Sequence, residues 1–92
     1  MIIAVDYDGT LEKGGAVNVP LLIKLKQRQK AGDCVILWTC RHGKSLQDAI
    51  STLMKHGFRP NLVNQNAIRP GGVDTRKIYA DVYIDDKAAL WG

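Results

Sequence analysis

Two pairs of carboxylates carry the chemical interest of this chain: Asp6 and Asp8 in the run Asp6-Tyr7-Asp8-Gly9-Thr10, and the adjacent Asp85 and Asp86. Each pair follows directly on an apolar run, Ile2 to Val5 for the first and Val82 to Ile84 for the second, and Thr39 follows a third such run, Cys34 to Trp38. If these runs are neighbouring strands of one sheet, four carboxylates and one hydroxyl converge on a single edge. Carboxylates crowded in this way repel one another and raise each other's pKa unless a cation neutralises them. An all-oxygen donor set with no His or Cys favours a hard cation over zinc, and Mg²⁺ is commonly held by one or two carboxylates plus waters and a substrate phosphate. A calcium-binding EF-hand needs a bidentate Glu at the end of its loop, and the twelve residues from Asp6 to Val17 end without one. The bland alternative, a polar turn with solvated carboxylates, fits an isolated Asp-x-Asp-Gly but not two carboxylate pairs that both terminate apolar runs.

The elements that must position these groups can be read from periodicity. Ile2 to Val5 is a short buried strand. A Gly-rich stretch (Gly9, Gly14, Gly15) follows, then Asn18 and Pro20 mark a helix start, Leu21, Leu22 and Leu25 form its apolar stripe, and Gly32 ends it. Cys34 to Trp38, with β-branched Val35 and Ile36, is a second strand feeding a polar loop. Ser45 and Asp48 resemble a capping box, and Leu46, Ala49, Ile50, Leu53 and Met54 recur at helical spacing up to Gly57. Pro60 to Asn64 reads as a third strand, Gln65 to Arg76 as loop, and Val82 to Ile84 as a fourth strand. Strand and helix alternation of this kind predicts an α/β, Rossmann-like parallel sheet of four strands in the order 3-2-1-4, joined by right-handed crossovers. Ligands then bind beyond the carboxyl ends of strands one and four, where strand order reverses.

The bulk properties agree with one small folded domain over residues 1–92. Hydrophobic residues make up 46% and charged residues 24% of the chain, a globular rather than a disordered balance. No apolar run approaches the roughly 18 to 20 residues that span a bilayer, and a charge enters too early for a secretory signal, so a cytoplasmic location and no membrane partner are expected. Cys34 and Cys40 are too few for a disulfide framework and read as buried thiols at the two ends of a strand. The net charge of +4 attracts anions, phosphorylated substrates and nucleic acid alike, but the basic residues form no stripe interleaved with aromatics, so nucleic acid is not favoured. His42 and His56 read as surface residues, and Trp38 and Trp91 as packing residues.

The arrangement Asp6-x-Asp8-Gly9-Thr10, with Thr39 after strand two and Asp85-Asp86 after strand four, resembles the haloacid dehalogenase superfamily of phosphatases and phosphotransferases. The resemblance spans nearly the whole chain; D-x-D-G-[TS] alone arises by accident in on the order of one in several hundred chains of this length. It implies a Mg²⁺-dependent phosphatase in which Asp6 is the nucleophile, forming an aspartyl-phosphate and binding the metal. Asp8 would be the acid/base, with its backbone carbonyl facing the metal, Asp85 a direct metal ligand, and Asp86 a ligand beside it or through water. Thr39 would orient the phosphate. The family's basic residue is matched by Lys77, with Lys44 as the alternative. Gly9 turns the chain away from the strand, Thr10 is available to hydrogen-bond within that turn, and Cys40, Arg41 and Lys44 in the loop after strand two join Gly9 as candidate substrate contacts.

Many members of that superfamily carry an inserted cap over the site, for which this chain has no room. An open site suits a bulky phosphorylated substrate or closure by a second subunit. Right-handed crossovers place both helices on one face of the sheet, leaving the other to be covered by the Gln65 to Arg76 loop, by Ala88-Ala89-Leu90-Trp91, or by a homo-oligomeric partner. Two rival functions remain at this point: a catalytically inert metal- or phosphate-binding module, and a basic nucleic-acid-associated module.

Overall fold

The computed structural model describes residues 1–65 and 80–85. Its first strand, β1 (Ile2–Asp6), buries Ile3, Ala4 and Val5 completely, as a strand covered on both faces must. Two short strands, β2 (Glu12–Lys13) and β3 (Ala16–Val17), pair antiparallel across Gly14 and Gly15. Their φ angles of 61° and 83° are both positive, which a two-residue hairpin turn matching the strand twist requires and which glycine adopts without strain. In the sequence this hairpin shows only as a Gly-rich stretch.

Helix α1 (Val19–Lys30) begins where expected. The Asn18 side chain accepts from the Leu21 N–H at 3.3 Å, Pro20 occupies the first turn where no intrahelical N–H is needed, and Leu22 and Leu25 are buried. Strand β4 (Cys34–Trp38) and helix α2 (Gly43–Lys55) follow. The capping box expected at Ser45 does not form. The helix starts three residues earlier with His42 at the N-cap, and the Ser45 hydroxyl donates to the His42 carbonyl at 2.9 Å. Gly57 ends α2 in a left-handed conformation, and the Phe58 N–H returns to the Leu53 carbonyl at 3.0 Å.

Strand β5 (Leu62–Val63) is shorter than the Pro60 to Asn64 expectation, and β6 (Val82–Ile84) matches it. The parallel sheet runs β5-β4-β1-β6. This differs from 3-2-1-4 in numbering because the hairpin adds two strands to the count; the four expected strands lie side by side in the expected spatial sequence. The radius of gyration, 12.7 Å, is close to the ~12 Å of a compact domain of this length. No helix among the described residues is long and apolar enough to cross a membrane.

One face of the sheet holds the main core. Ile3, Val5, Val35, Leu37 and Ile84 pack with Leu22, Leu25, Ala49, Leu53 and Phe58, so both helices share this face as right-handed crossovers dictate. On the other face Ala4 and Ile36 are fully buried among Ile2, Cys34, Leu62 and Ala80. The expected shortfall of cover is therefore not at the centre of this face; exposed apolar surface lies toward the carboxyl ends of its strands, at Trp38 and Tyr83. Most of the Gln65 to Arg76 loop and the whole Ala88 to Trp91 segment lie outside the described residues. Phe58 fills the core where α2 turns back toward the sheet, so Phe58→Ala is expected to cost about 3–5 kcal/mol, a large share of the roughly 5–15 kcal/mol that a small domain has in total. Urea unfolding followed by circular dichroism checks it.

Candidate active site

Register fixes the geometry at the carboxyl edge of the sheet. Asp6 lies opposite Trp38 in β4, and Val5 lies opposite Ile84, so the next residue, Asp85, comes level with Asp6 on the other side. Neighbouring strands are about 4.8 Å apart and level residues of a parallel pair point to the same face. Asp6, Trp38 and Asp85, with Thr39 and Cys40, accordingly line one cleft of about 270 Å³. It opens on the face opposite the helices. The Asp6 Oδ1 accepts from the Tyr7 N–H at 2.9 Å, which fixes the carboxylate's rotation at the strand end.

Thr39 is 8% exposed and held at two points. Its N–H donates to Asn64 Oδ1 at 2.9 Å, and its Oγ1 accepts from the Arg41 N–H at 3.1 Å. Because the hydroxyl accepts that bond, its own proton remains to donate to a ligand. Asn64 adopts φ 51°, a left-handed conformation that asparagine tolerates better than most residues, and its own N–H donates to the Leu37 carbonyl at 2.9 Å. Asn61, at the other end of β5, works similarly: its Oδ1 accepts from the Val35 N–H at 2.8 Å. These two asparagines bracket β5: Asn61 ties it to the start of β4, and Asn64 to the end that carries Thr39. Sequence reasoning missed both; the available signal was an asparagine on each side of a short apolar run.

Asp8 stands apart from the cleft. Its carboxylate is gripped by Arg41, with Nε at 3.1 and 2.9 Å from the two oxygens and Nη2 at 2.7 Å from Oδ1. The guanidinium also lies over the Tyr7 ring, 4.9 Å from its centroid, and Nη1 donates to the Ser45 carbonyl at 3.3 Å. The Arg41 hydrogen bonds hold the Asp8 carboxyl below its ordinary pKa against the opposing effect of burial, and the guanidinium charge adds to them. A lowered carboxylate pKa stabilises the fold at pH values above the ordinary one, and that contribution is lost as pH falls through the lowered value.

The convergence of four carboxylates is thus realised only in part. Asp6 and Asp85 share the cleft, and Asp8 is turned to Arg41. Asp86 and Lys77 lie outside the described residues, within which no group of three or more His, Cys, Asp or Glu side chains comes together. Lys44 is exposed in the first turn of α2 and does not line the cleft. Cys40 is exposed at the cleft, not buried as the composition suggested, because it sits one residue beyond Thr39 in the loop. Gly9 has φ 81°, and its N–H donates to the Glu12 carbonyl at 2.7 Å as the chain leaves β1. The Thr10 N–H closes that turn on the Tyr7 carbonyl at 3.2 Å, while its buried hydroxyl has no hydrogen-bond partner among the described residues. His42 and His56 are on the surface as expected.

Two level carboxylates on adjacent strands are a hard-oxygen donor pair of the kind that suits Mg²⁺, which needs few protein ligands. Asp6 and Asp85 are the residues that could hold it. No protein-family model and no curated protein matches the chain. Among solved structures, a conserved protein from Bacteroides thetaiotaomicron aligns with a TM-score of 0.80 and 31% sequence identity, over 96% of this chain and 77% of that one. At that identity and coverage, the chain belongs to the same family as the conserved Bacteroides protein.

Proposed function

We propose that the protein is a Mg²⁺-dependent phosphoric monoester hydrolase with a capless, haloacid-dehalogenase-like fold, working through an aspartyl-phosphate on Asp6. The observation that carries this reading is the level placement of Asp6 and Asp85 in one cleft beside the Thr39 hydroxyl. A bound Mg²⁺ would neutralise the charge of the phosphate and of the two carboxylates that hold it. An Asp6 oxygen attacks phosphorus as the bond to the leaving oxygen breaks, and the Asp8 carboxyl gives that oxygen its proton. Asp8, now ionised, takes a proton from water; the resulting hydroxide oxygen attacks phosphorus, the bond to Asp6 breaks, and inorganic phosphate leaves. Thr39 donates its hydroxyl proton to a phosphate oxygen throughout.

The grip of Arg41 on Asp8 bears on both halves of this cycle. It favours the ionised carboxylate, the form needed to activate water and the wrong form for protonating a leaving group. An incoming phosphate offers the guanidinium a second bidentate partner, which would loosen its hold on Asp8. The same contact also favours a second reading, an inert phosphate-binding module whose would-be acid is permanently paired.

Hydrolysis of p-nitrophenyl phosphate with and without Mg²⁺ distinguishes the two. Turnover that appears with Mg²⁺ and disappears with a chelator is the expected result. Binding of inorganic phosphate by the folded protein with no turnover at any Mg²⁺ concentration would establish the inert module instead.

A further inference from the structure

Trp38 does not do what a tryptophan ending a buried strand usually does. It is 43% exposed, lines the cleft, and lies level with Asp6 on the adjacent strand. Its neighbour on the same face is Tyr83, also 43% exposed, whose ring meets the indole edge-to-face with centroids 6.0 Å apart and planes at 70°. Tyr83 is itself anchored, its hydroxyl accepting from the Ala80 N–H at 3.1 Å. A braced indole of this kind loses little freedom when a flat ring lies against it.

Resting on the phosphatase reading above, we infer that Trp38, braced by Tyr83, is a stacking platform for the leaving group and selects phosphomonoesters that carry a nucleobase. The phosphoryl group on Asp6 and a ring on Trp38 are adjacent within one cleft, and in a nucleotide the base is joined to the phosphate through a single sugar. The large bicyclic face of the indole matches a base, every base has a π-face to offer, and the chain's net charge of +4 adds attraction for a nucleotide's phosphate. A sugar phosphate or glycerol phosphate would reach Asp6 equally well and leave the indole in water. Free nucleotides and the phosphorylated ends of oligonucleotides share this chemistry.

Binding can be followed by the emission of Trp38 in an Asp6→Asn, Trp91→Phe background, which prevents turnover and removes the second indole. With Mg²⁺ present, 5′-AMP, a 5′-phosphorylated oligonucleotide, glycerol 3-phosphate and inorganic phosphate are compared by titration, with calorimetry as the readout once Trp38 is replaced. The expected result is quenching by 5′-AMP and tenfold or greater preference for it over glycerol 3-phosphate. Trp38→Ala should reduce that preference by roughly five- to a hundred-fold, and Trp38→Phe should restore most of it. Inorganic phosphate affinity should not change. A higher affinity for the oligonucleotide than for 5′-AMP, lost with Trp38, would identify nucleic-acid ends as the source of the base; the reverse order would identify free nucleotides. An unchanged preference in folded Trp38→Ala overturns the inference while leaving the phosphatase reading standing. So does a Trp38→Ala variant that only converts an oligomer to monomers in sedimentation, since the aromatic pair would then be a subunit contact. Failure of the native-sequence protein to bind or turn over any phosphate ester overturns both.

Discussion

Replacing Asp6 by asparagine is expected to reduce phosphate-ester turnover by on the order of 10⁴- to 10⁶-fold, to the background rate. The substitution is nearly isosteric, and the amide oxygen can still accept the bond that Tyr7 N–H makes to Asp6 Oδ1, so the strand end should keep its shape. What disappears is chemistry. An amide is too weak a nucleophile to attack phosphorus and brings no charge to a cation shared with Asp85. Rates with p-nitrophenyl phosphate and a circular dichroism spectrum test this together. Beryllofluoride with Mg²⁺, which mimics a phosphoryl group on a carboxylate, should raise the melting temperature of the native-sequence protein and leave that of the Asn variant unchanged. A folded variant that retained near-native turnover would place the nucleophile elsewhere.

The parts of this arrangement visible in the sequence are those fixed by local pattern. Apolar runs that stop abruptly at a polar residue located β1, β4 and β6, and with them Asp6, Thr39 and Asp85; in β1 and β4 the central residues are buried on both faces and admit no polar residue until the strand ends. Asn18 and Pro20 placed α1 for an equally local reason. Errors arose where two local signals competed or where the partner is distant in the chain. Ser45 and Asp48 carry a capping signature, yet the end of β4 and the left-handed Gly43 bring the chain into helix earlier. Gly14-Gly15 was a hairpin signal with only two residues of strand on either side, too little for alternation to register.

Arg41 meeting Asp8, and Asn64 meeting Thr39, join residues 33 and 25 positions apart, which no periodicity reveals. Acidic residues were also not all of one kind. Asp33 accepts from the N-terminal amine at 3.0 Å and Asp81 from the Ile2 N–H at 2.6 Å, both at the opposite edge of the sheet, where they tie down the start of β1. The place of Trp38 in the cleft was hidden for a related reason. Composition treats a tryptophan as core, and only the register that sets Trp38 beside Asp6 exposes it as part of the cleft.

Asp8→Asn is the second large effect, and its pattern across substrates matters more than its size. Loss of general acid/base catalysis should lower the rate by roughly 10²- to 10⁴-fold while Mg²⁺ affinity changes little, since the backbone carbonyl of residue 8 is retained. An aryl leaving group departs without a proton and an alkoxide does not, so p-nitrophenyl phosphate should lose least and an alkyl phosphate most. Arg41 supplies an independent check through pH. Its contact holds the Asp8 carboxyl below the usual range, so the protonated form needed for alkyl esters is depleted as pH rises. Arg41→Met removes that influence, the carboxyl pKa rises, and the fall in kcat/KM for an alkyl phosphate on the alkaline side should move to higher pH. Stability moves the other way: both Asp8→Asn and Arg41→Met forfeit a contribution present above the ordinary carboxylate pKa, so their unfolding midpoints should converge on that of the native-sequence protein in acid. Equal losses for aryl and alkyl esters in Asp8→Asn, with no displacement of the pH profile in Arg41→Met, would show that Asp8 does not protonate the leaving group and that its pairing with Arg41 is structural.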